Sequence, residues 1–135
     1  MSSRRSFSDV VPDAELEAAV RTGMEAVEAQ LRDAVKSDDA FITEAARHLV
    51  EAGGKRFRPM LVLLAAQFGD PDATGVVPSA VVCELTHLAT LYHDDVMDEA
   101  PLRRGAPSAN ARWDNTVAIL TGDFLFARAS DILAD

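Results

Sequence analysis

The stretch that decides the fold is AVVCELTHLATLYHDDVMDEAPLRRG, residues 80–105. Its first eleven residues are almost wholly apolar, as expected for a helix that packs on most of its sides. The apolar run ends in three aspartates within five positions: Asp94, Asp95 and Asp98. Successive helical residues turn by roughly 100°, so the carboxylates of Asp94 and Asp98 lie about 40° apart and reach one region of space. We therefore expect a helix with a charged site at its C-terminal end.

This acid cluster is the first candidate for chemistry. Like charges one turn apart destabilise a helix, and acids near its C-terminus oppose the helix dipole, so stability alone does not explain them. A divalent cation would compensate, and one or two carboxylates completed by water and phosphate are typical of Mg²⁺. The spacing matches neither a calcium loop nor a zinc site. A solvated helix end is the open alternative.

Helical geometry also sorts the neighbours of the cluster. His87 lies seven residues before Asp94, about 20° away on the same face. Asp95 points to the flank of that face. His93 projects to another face, where we expect a structural role.

Two basic segments accompany the acids. The first is GGKRFRP, residues 53–59, and the second is Arg103–Arg104. Each is a local concentration of positive charge in a chain of net charge −9, a balance that argues against nucleic acid as a partner. Arginine and lysine suit phosphate oxygens. Each segment alone would be read as a solvated loop, but acids and cations together favour magnesium carrying a polyphosphate.

Hydrophobic periodicity predicts an all-α chain. The approximate ranges of its helices are 12–35, 40–52, 59–68, 78–98 and 115–135. Asp38 or Asp39 is available to cap the second helix, and Gly53 and Gly54 end it. The third begins at Pro59 and is apolar nearly all round, so burial on most of its sides is expected. No strand pattern is convincing.

The start of the chain and its one cysteine bound the class of protein. Residues 1–11 are polar and are expected to be frayed, whereas 12–135 fit one domain with a real core. SSRRSF resembles the front of a twin-arginine export signal, but charges follow where an apolar region should be, so export is rejected. No stretch approaches the roughly 18 apolar residues of a spanning helix. Cys83 lies in an apolar run and is expected to be buried, and a lone cysteine fits a cytoplasmic, reducing compartment.

The motifs together carry a family resemblance. GGKRFRP, His87, HDDVMD and LRRGAPSA, in this order and spacing, resemble the first half of a trans-isoprenyl diphosphate synthase, or polyprenyl synthetase. DDVMD matches that family's first aspartate-rich motif, Asp-Asp-x-x-Asp, and the resemblance runs from about Leu31 to the end. It implies an antiparallel helix bundle of the isoprenoid synthase type, incomplete here because only the N-terminal helices are present. It also implies a homodimer.

The resemblance further implies a Mg²⁺-dependent prenyltransferase that condenses an allylic diphosphate with isopentenyl diphosphate. Asp94 and Asp98 would ligate magnesium on the allylic diphosphate, with Asp95 supporting. Arg103 would contact the same diphosphate. The role of Arg56 is less certain. The residues implied for the diphosphate of isopentenyl diphosphate are Lys55, Arg58, His87 and Arg104.

The chain departs from the family pattern in lacking the second aspartate-rich motif. Because the last helix also ends without a cap, we expect an N-terminal portion that binds magnesium–diphosphate weakly and gives no turnover alone. Ala89, five residues before the first aspartate, is small, as in long-chain synthases that make quinone side chains; simple helix packing there is the alternative. Three other readings are a short- or medium-chain synthase of the geranylgeranyl type, a non-catalytic subunit of a full-length synthase, and a generic Mg²⁺ or Ca²⁺ binder.

Overall fold

The computed structural model describes residues 13–135 and is almost entirely helical. Its elements, in chain order, are α1 (Ala14–Ala34), α2 (Ala40–Glu51), α3 (Phe57–Ala66), α4 (Val76–Met97), β1 (Leu102–Arg103), β2 (Ala106–Pro107), α5 (Ala109–Arg112) and α6 (Asn115–Ala134). The predicted all-α class is confirmed, and the predicted helices correspond to α1–α4 and α6. The frayed start predicted for residues 1–11 lies outside the described residues. Within residues 13–135 no helix is long and apolar enough to cross a membrane.

Short polar and glycine signals set the helix ends. Asp39 is the N-cap of α2, and its carboxylate accepts hydrogen bonds from backbone N–H groups two and three positions on. Such a cap stabilises a helix by about 1 kcal/mol. Gly53 and Gly54 follow α2 with φ of 90° and 142°, values that glycine adopts without strain. Pro59 lies in the first turn of α3, as predicted.

Helix α4 is the centre of the structure and packs against α1, α3 and α6. The largest fully buried apolar side chains are Tyr92, Leu31, Leu49, Leu85, Leu88 and Leu125. The Tyr92 hydroxyl donates to the carbonyl of Ala45 at 2.6 Å and accepts from the N–H of Leu49 at 3.2 Å, which ties α4 to α2. Each fully buried leucine contributes about 1.5–3 kcal/mol. The acid cluster therefore lies at the C-terminal end of a well-packed helix.

The prediction that α3 is buried on most sides is wrong. Pro59 and Leu63 are its buried residues, whereas Phe57 and Leu61 are 55% and 46% exposed. Phe68, just past its end, is 97% exposed. The apolar circumference of α3 indicated neighbours on all sides, but within residues 13–135 it packs mainly against α1 and α4.

Two further local predictions are corrected. Cys83 is exposed rather than buried, because it occupies the outward face of α4 between buried Val82 and Glu84. A short antiparallel hairpin, absent from the sequence-based prediction, pairs Leu102 with Pro107 and Arg103 with Ala106. Strands of two residues are too short to leave a periodic pattern, which explains the omission.

Candidate functional site

Asp94 and Asp98 lie one turn apart at the C-terminal end of α4. The backbone N–H of Asp98, the C-cap, donates to the carbonyl of Asp94 at 2.8 Å, so the helical geometry that the sequence argument needed extends through both residues. Asp94 is half-buried and Asp98 is exposed. No ion pair among residues 13–135 includes either carboxylate. Both are open to a ligand.

Asp95 has a different environment. Its side chain is 1% exposed and accepts a forked set of hydrogen bonds from Arg103, from Nε at 3.0 and 3.2 Å and from Nη2 at 2.5 Å. These hydrogen bonds raise the pKa of Arg103, and the negative charges of Asp94 and Asp98 add to the effect. Arg103 is thus brought back to the acid end of α4, and its contact with an allylic diphosphate stays a prediction. The predicted support of a metal by Asp95 stays a prediction, since its carboxylate here orients Arg103.

The hairpin explains how Arg103 reaches α4. Arg104 and Gly105 form its two-residue turn, with φ of 55° and 78°. Positive φ at both central residues is the hairpin geometry that matches the twist of the strands. Ser108 links the two ends of the hairpin, because its hydroxyl donates to the carbonyl of Ala100 at 2.5 Å. The side chains of Arg103 and Arg104 therefore point in different directions from the hairpin.

Arg104 points to the other basic segment. Its Nη1 donates to the carbonyl of Leu49 at 3.1 Å and to that of Gly53, and its Nη2 lies 3.8 Å from Glu84. A β-carbon on Gly54 would lie 2.8 Å from the Arg104 guanidinium carbon, so this packing requires glycine there. Burial lowers the pKa of Arg104. The guanidinium joins the hairpin to GGKRFRP, and its predicted contact with a diphosphate stays a prediction.

Within GGKRFRP the three cations have different surroundings. Arg56 is buried, and its backbone adopts the left-handed conformation with φ of 52°. Its Nε donates to Glu28 at 2.5 Å and its Nη2 to the carbonyl of Val50 at 2.9 Å. Arg56 is therefore a structural residue, which accounts for its uncertain role in the sequence argument. Lys55 and Arg58 are exposed, and no ion pair among residues 13–135 includes them.

His87 lies where these cations meet. It is half-buried on α4, and burial lowers its pKa, followed by the positive charges of Arg58, Arg104, Arg103 and Arg56. The structure thus groups His87 with the arginines of both basic segments. Because nearby cations disfavour the imidazolium, a bound anion would raise the pKa of His87 again, so this position is suited to an anionic ligand.

Glu84 is a further charged residue of this region that the sequence motifs did not indicate. It is 1% exposed on α4 and lies 3.3 Å from Nη1 of Arg56. Burial raises its pKa, whereas the charges of Arg56 and Arg104 oppose that shift. A lone acid within an apolar helical run was the available signal, because a buried carboxylate needs a cationic partner.

His93 has the structural role that the sequence argument expected. Its Nε2 lies 3.0 Å from the carbonyl of Ile119 and 3.3 Å from the carboxylate of Asp123. Gly122 leaves room for the ring, since a β-carbon there would overlap it. His93 therefore fixes α4 against α6 just before the acid cluster.

The donor set at the acid end fits a hard cation shared with a phosphate ligand. No group of three or more His, Cys, Asp or Glu side chains within residues 13–135 is arranged to hold a metal alone. Asp94 and Asp98 provide two open carboxylates, which agrees with magnesium completed by water and phosphate. Calcium-loop and zinc chemistry need more protein ligands than this end of α4 provides.

The sequence pattern of the protein family described as polyprenyl synthetase matches residues 39–135. The chain belongs to the polyprenyl synthetase family. Nonaprenyl diphosphate synthase of Mycobacterium tuberculosis (strain ATCC 25618 / H37Rv) is 54% identical over 123 residues, which cover 90% of this chain and 37% of that protein. The chain thus spans little more than a third of the length of this curated relative.

Solved structures of polyprenyl synthetases share the fold. A decaprenyl diphosphate synthase from Rhodobacter capsulatus has a TM-score of 0.83 and 46% identity, covering 90% of this chain and 38% of that one. A polyprenyl synthase from Caulobacter crescentus CB15, complexed with calcium and isoprenyl diphosphate, has a TM-score of 0.81 and 39% identity, covering 88% and 37%. The predicted isoprenoid synthase fold is confirmed.

Ala89, the residue that the polyprenyl synthetase resemblance links to product length, is fully buried. Its carbonyl oxygen lies 3.1 Å from the position a β-carbon would take on Gly122 of α6. The helix-packing alternative therefore has direct geometric support. A role in chain length stays a prediction.

Proposed function

We propose that this chain supplies one wall of a prenyltransferase site that condenses an allylic diphosphate with isopentenyl diphosphate. The observation that carries the proposal is the separation of charges along α4. Open carboxylates of Asp94 and Asp98 lie at its C-terminal end beside Arg103, and cations surround His87 nearer its middle. Two anion sites of different kind, one suited to a metal and one to bare cations, match two diphosphate substrates.

The acid end would hold the allylic diphosphate. Asp94 and Asp98 would ligate Mg²⁺, and the solved polyprenyl synthase from Caulobacter crescentus, complexed with calcium and isoprenyl diphosphate, supports a divalent cation with such a ligand. Bound there, Mg²⁺ supplies positive charge that stabilises the leaving diphosphate. Arg103, already oriented by Asp95, would donate to the same oxygens without reorganising, which favours the transition state.

The basic end would hold isopentenyl diphosphate. Lys55 and Arg58 are exposed and available, and Arg104 lines the same region. His87 begins with a lowered pKa and would take up a proton as the dianionic ligand approaches. Binding at this end should therefore strengthen as pH falls toward the pKa of the bound imidazole.

The chemistry needs no side-chain nucleophile. The allylic carbon–oxygen bond breaks, the electron pair leaves with the diphosphate, and a delocalised carbocation remains. The double bond of isopentenyl diphosphate attacks that cation, and loss of a proton restores a double bond in a chain five carbons longer. The residues of this chain bind, orient and stabilise the diphosphates.

A long-chain all-trans product, such as a quinone side chain, is the product class that we propose. The nonaprenyl and decaprenyl diphosphate synthases among its relatives support it. The chain keeps both its acids and its cations, which disfavours a non-catalytic subunit. Pairing of two chains and a cytoplasmic location stay predictions; the single cysteine supports the location.

Calorimetric titration with inorganic pyrophosphate, with and without Mg²⁺, tests the proposal. We expect weak binding that requires Mg²⁺ and is lost in the double variant Asp94→Asn/Asp98→Asn. Removing two acids from a chain of net charge −9 should by itself favour an anion, so such a loss points to the metal. Asp38→Asn, which removes one exposed carboxylate just before α2, is the control and should bind like the wild type. Binding that ignores Mg²⁺ or survives the double variant would contradict the proposal.

A further inference from the structure

Glu84 links the two basic segments although neither the motif pattern nor the proposed chemistry uses it. Its carboxylate lies 3.3 Å from Nη1 of Arg56 in GGKRFRP and 3.8 Å from Nη2 of Arg104 in the hairpin. It is buried on α4, one turn before His87. The two segments are far apart in sequence, so this carboxylate is a shared anchor point.

Both arginines at this anchor have strained backbones. Arg56 and Arg104 have φ of 52° and 55°, and Glu99 is the other non-glycine residue with positive φ within residues 13–135. Such residues persist where the surroundings hold them, and they cluster at functional sites. Each of the two arginines is held by backbone carbonyls at the C-terminal end of α2, Val50 for Arg56 and Leu49 for Arg104, and each also faces Glu84.

The positions of the ligand-facing cations follow from these two turns. Lys55 immediately precedes Arg56, Arg58 lies two residues after it in the first turn of α3, and Arg103 immediately precedes Arg104 on the hairpin. A shift of either left-handed residue re-aims its neighbours. We propose that Glu84 is a positioning residue that fixes both basic turns of the diphosphate site through Arg56 and Arg104. The ligand in this inference rests on the proposed function, whereas the anchoring itself does not.

Glu28 provides a matched control. Its carboxylate lies 2.5 Å from Nε of Arg56, and its side chain is 34% exposed on α1. Glu28→Gln thus removes a negative charge from the same arginine without touching Arg104. Glu84→Gln removes the charge shared by both arginines at nearly constant volume, and Glu84→Asp keeps the charge but withdraws it by one methylene.

Amide hydrogen exchange, measured without ligand, tests the anchoring. We expect Glu84→Gln to speed exchange in both residues 53–58 and residues 102–106, and Glu28→Gln to speed it in residues 53–58 alone. Should Glu84→Gln fail to fold, Glu84→Asp, with native far-UV circular dichroism, is expected to show the same two-segment pattern at smaller amplitude. Unchanged exchange, or a change in one segment alone, in the folded Glu84 variant would overturn the proposal.

Titration with Mg²⁺ and inorganic pyrophosphate adds the functional arm. Displacing one charge-assisted hydrogen bond corresponds to about tenfold or more in affinity, and we expect at least that loss in the Glu84 variant and a smaller loss in Glu28→Gln. Equal affinities in the wild type and the Glu84 variant would overturn the positioning role. Absence of pyrophosphate binding by the wild type would contradict the proposed function instead, and the exchange pattern would still decide the role of Glu84.

Discussion

Asp94 and Asp95 are adjacent in sequence but differ in environment. Asp95 is buried and accepts hydrogen bonds from the guanidinium of Arg103. Asp94 is half-buried and forms no ion pair among residues 13–135. GGKRFRP shows the same contrast between residues two positions apart, since Arg56 is buried and ion-paired whereas Arg58 is exposed. Each motif therefore contains one charge that holds the structure and another that is available to a ligand.

The charges of these motifs and of Glu84 therefore fall into two groups that differ in whether they are paired within the structure. The anchored set is Glu84, Asp95, Arg56 and Arg104, and the open set is Lys55, Arg58, Asp94 and Asp98. A buried charge is tolerated only when it is paired, so the anchored set specifies how loops join α4. Lys55, Arg58 and Asp98 of the open set are exposed, and such charges contribute little to stability. Substitutions in the two sets should therefore separate stability from binding.

The largest difference is expected between Arg56 and Arg58. Arg56→Ala leaves Glu84 buried without its nearest cation and should lower the free energy of unfolding by about 3–5 kcal/mol. Arg58→Ala should change it by no more than about 0.5 kcal/mol. Urea unfolding followed by circular dichroism measures both. Similar losses for the two variants would remove the distinction between the sets.

A smaller difference is expected between neighbouring aspartates. Asp95→Asn weakens the hydrogen bonds that the Asp95 side chain accepts from Arg103. Because that arginine is partly exposed, we expect the free energy of unfolding to fall by about 2 kcal/mol. Asp94→Asn removes a like charge near the C-terminus of α4 and should be neutral or stabilising by a few tenths, roughly 0.3 kcal/mol. The same unfolding experiment decides. A larger loss in Asp94→Asn than in Asp95→Asn would reverse the assignment.

The smallest expected effect is a pH dependence at His87. Burial and the charges of nearby arginines place its pKa in the folded protein below the unfolded value of 6.5. A lowered pKa means that its contribution to stability is present above about pH 6.5 and is lost as pH falls through the folded value. Wild type and His87→Gln, compared between pH 8 and pH 5, should thus differ in slope, with the wild type losing more stability on acidification. Parallel curves would exclude this assignment.

The same imidazole also reports on the ligand. Titration of its Cε1–H signal by NMR should give a higher pKa in the presence of pyrophosphate and Mg²⁺ than in their absence, because the bound anion favours the imidazolium. An unchanged His87 pKa would place the anion elsewhere.

Sequence reasoning was most reliable where the signal was local. A cap at Asp38 or Asp39, a stop at Gly53 and Gly54 and the shared face of Asp94 and Asp98 follow from local helix geometry; the structure selects Asp39 as the cap and shows the other two as expected. The family resemblance was also sound, because its motifs are specific. Tertiary choices were not encoded locally. The apolar circumference of α3 did not reveal which face packs, and Cys83 lay one helical step from the buried face.

The site shows the same limit. Sequence spacing grouped the acids and the cations but did not distinguish anchored charges from open ones. That distinction depends on long-range partners: Arg56 reaches Glu28 on α1 and Arg104 reaches Leu49 on α2. A two-residue hairpin turn decides where Arg103 and Arg104 point, and such a turn has no periodicity to detect.

Paramagnetic broadening by Mn²⁺ tests the central claim most directly, namely that the open carboxylates of α4 hold a divalent cation together with a diphosphate. Mn²⁺ takes the same oxygen ligands as Mg²⁺ and broadens nearby amide signals. With pyrophosphate present, broadening should centre on residues 94–98, extend to Arg103, and vanish in Asp94→Asn/Asp98→Asn. Broadening that centres on another acidic segment such as residues 131–135, or that persists in the double variant, would contradict the account.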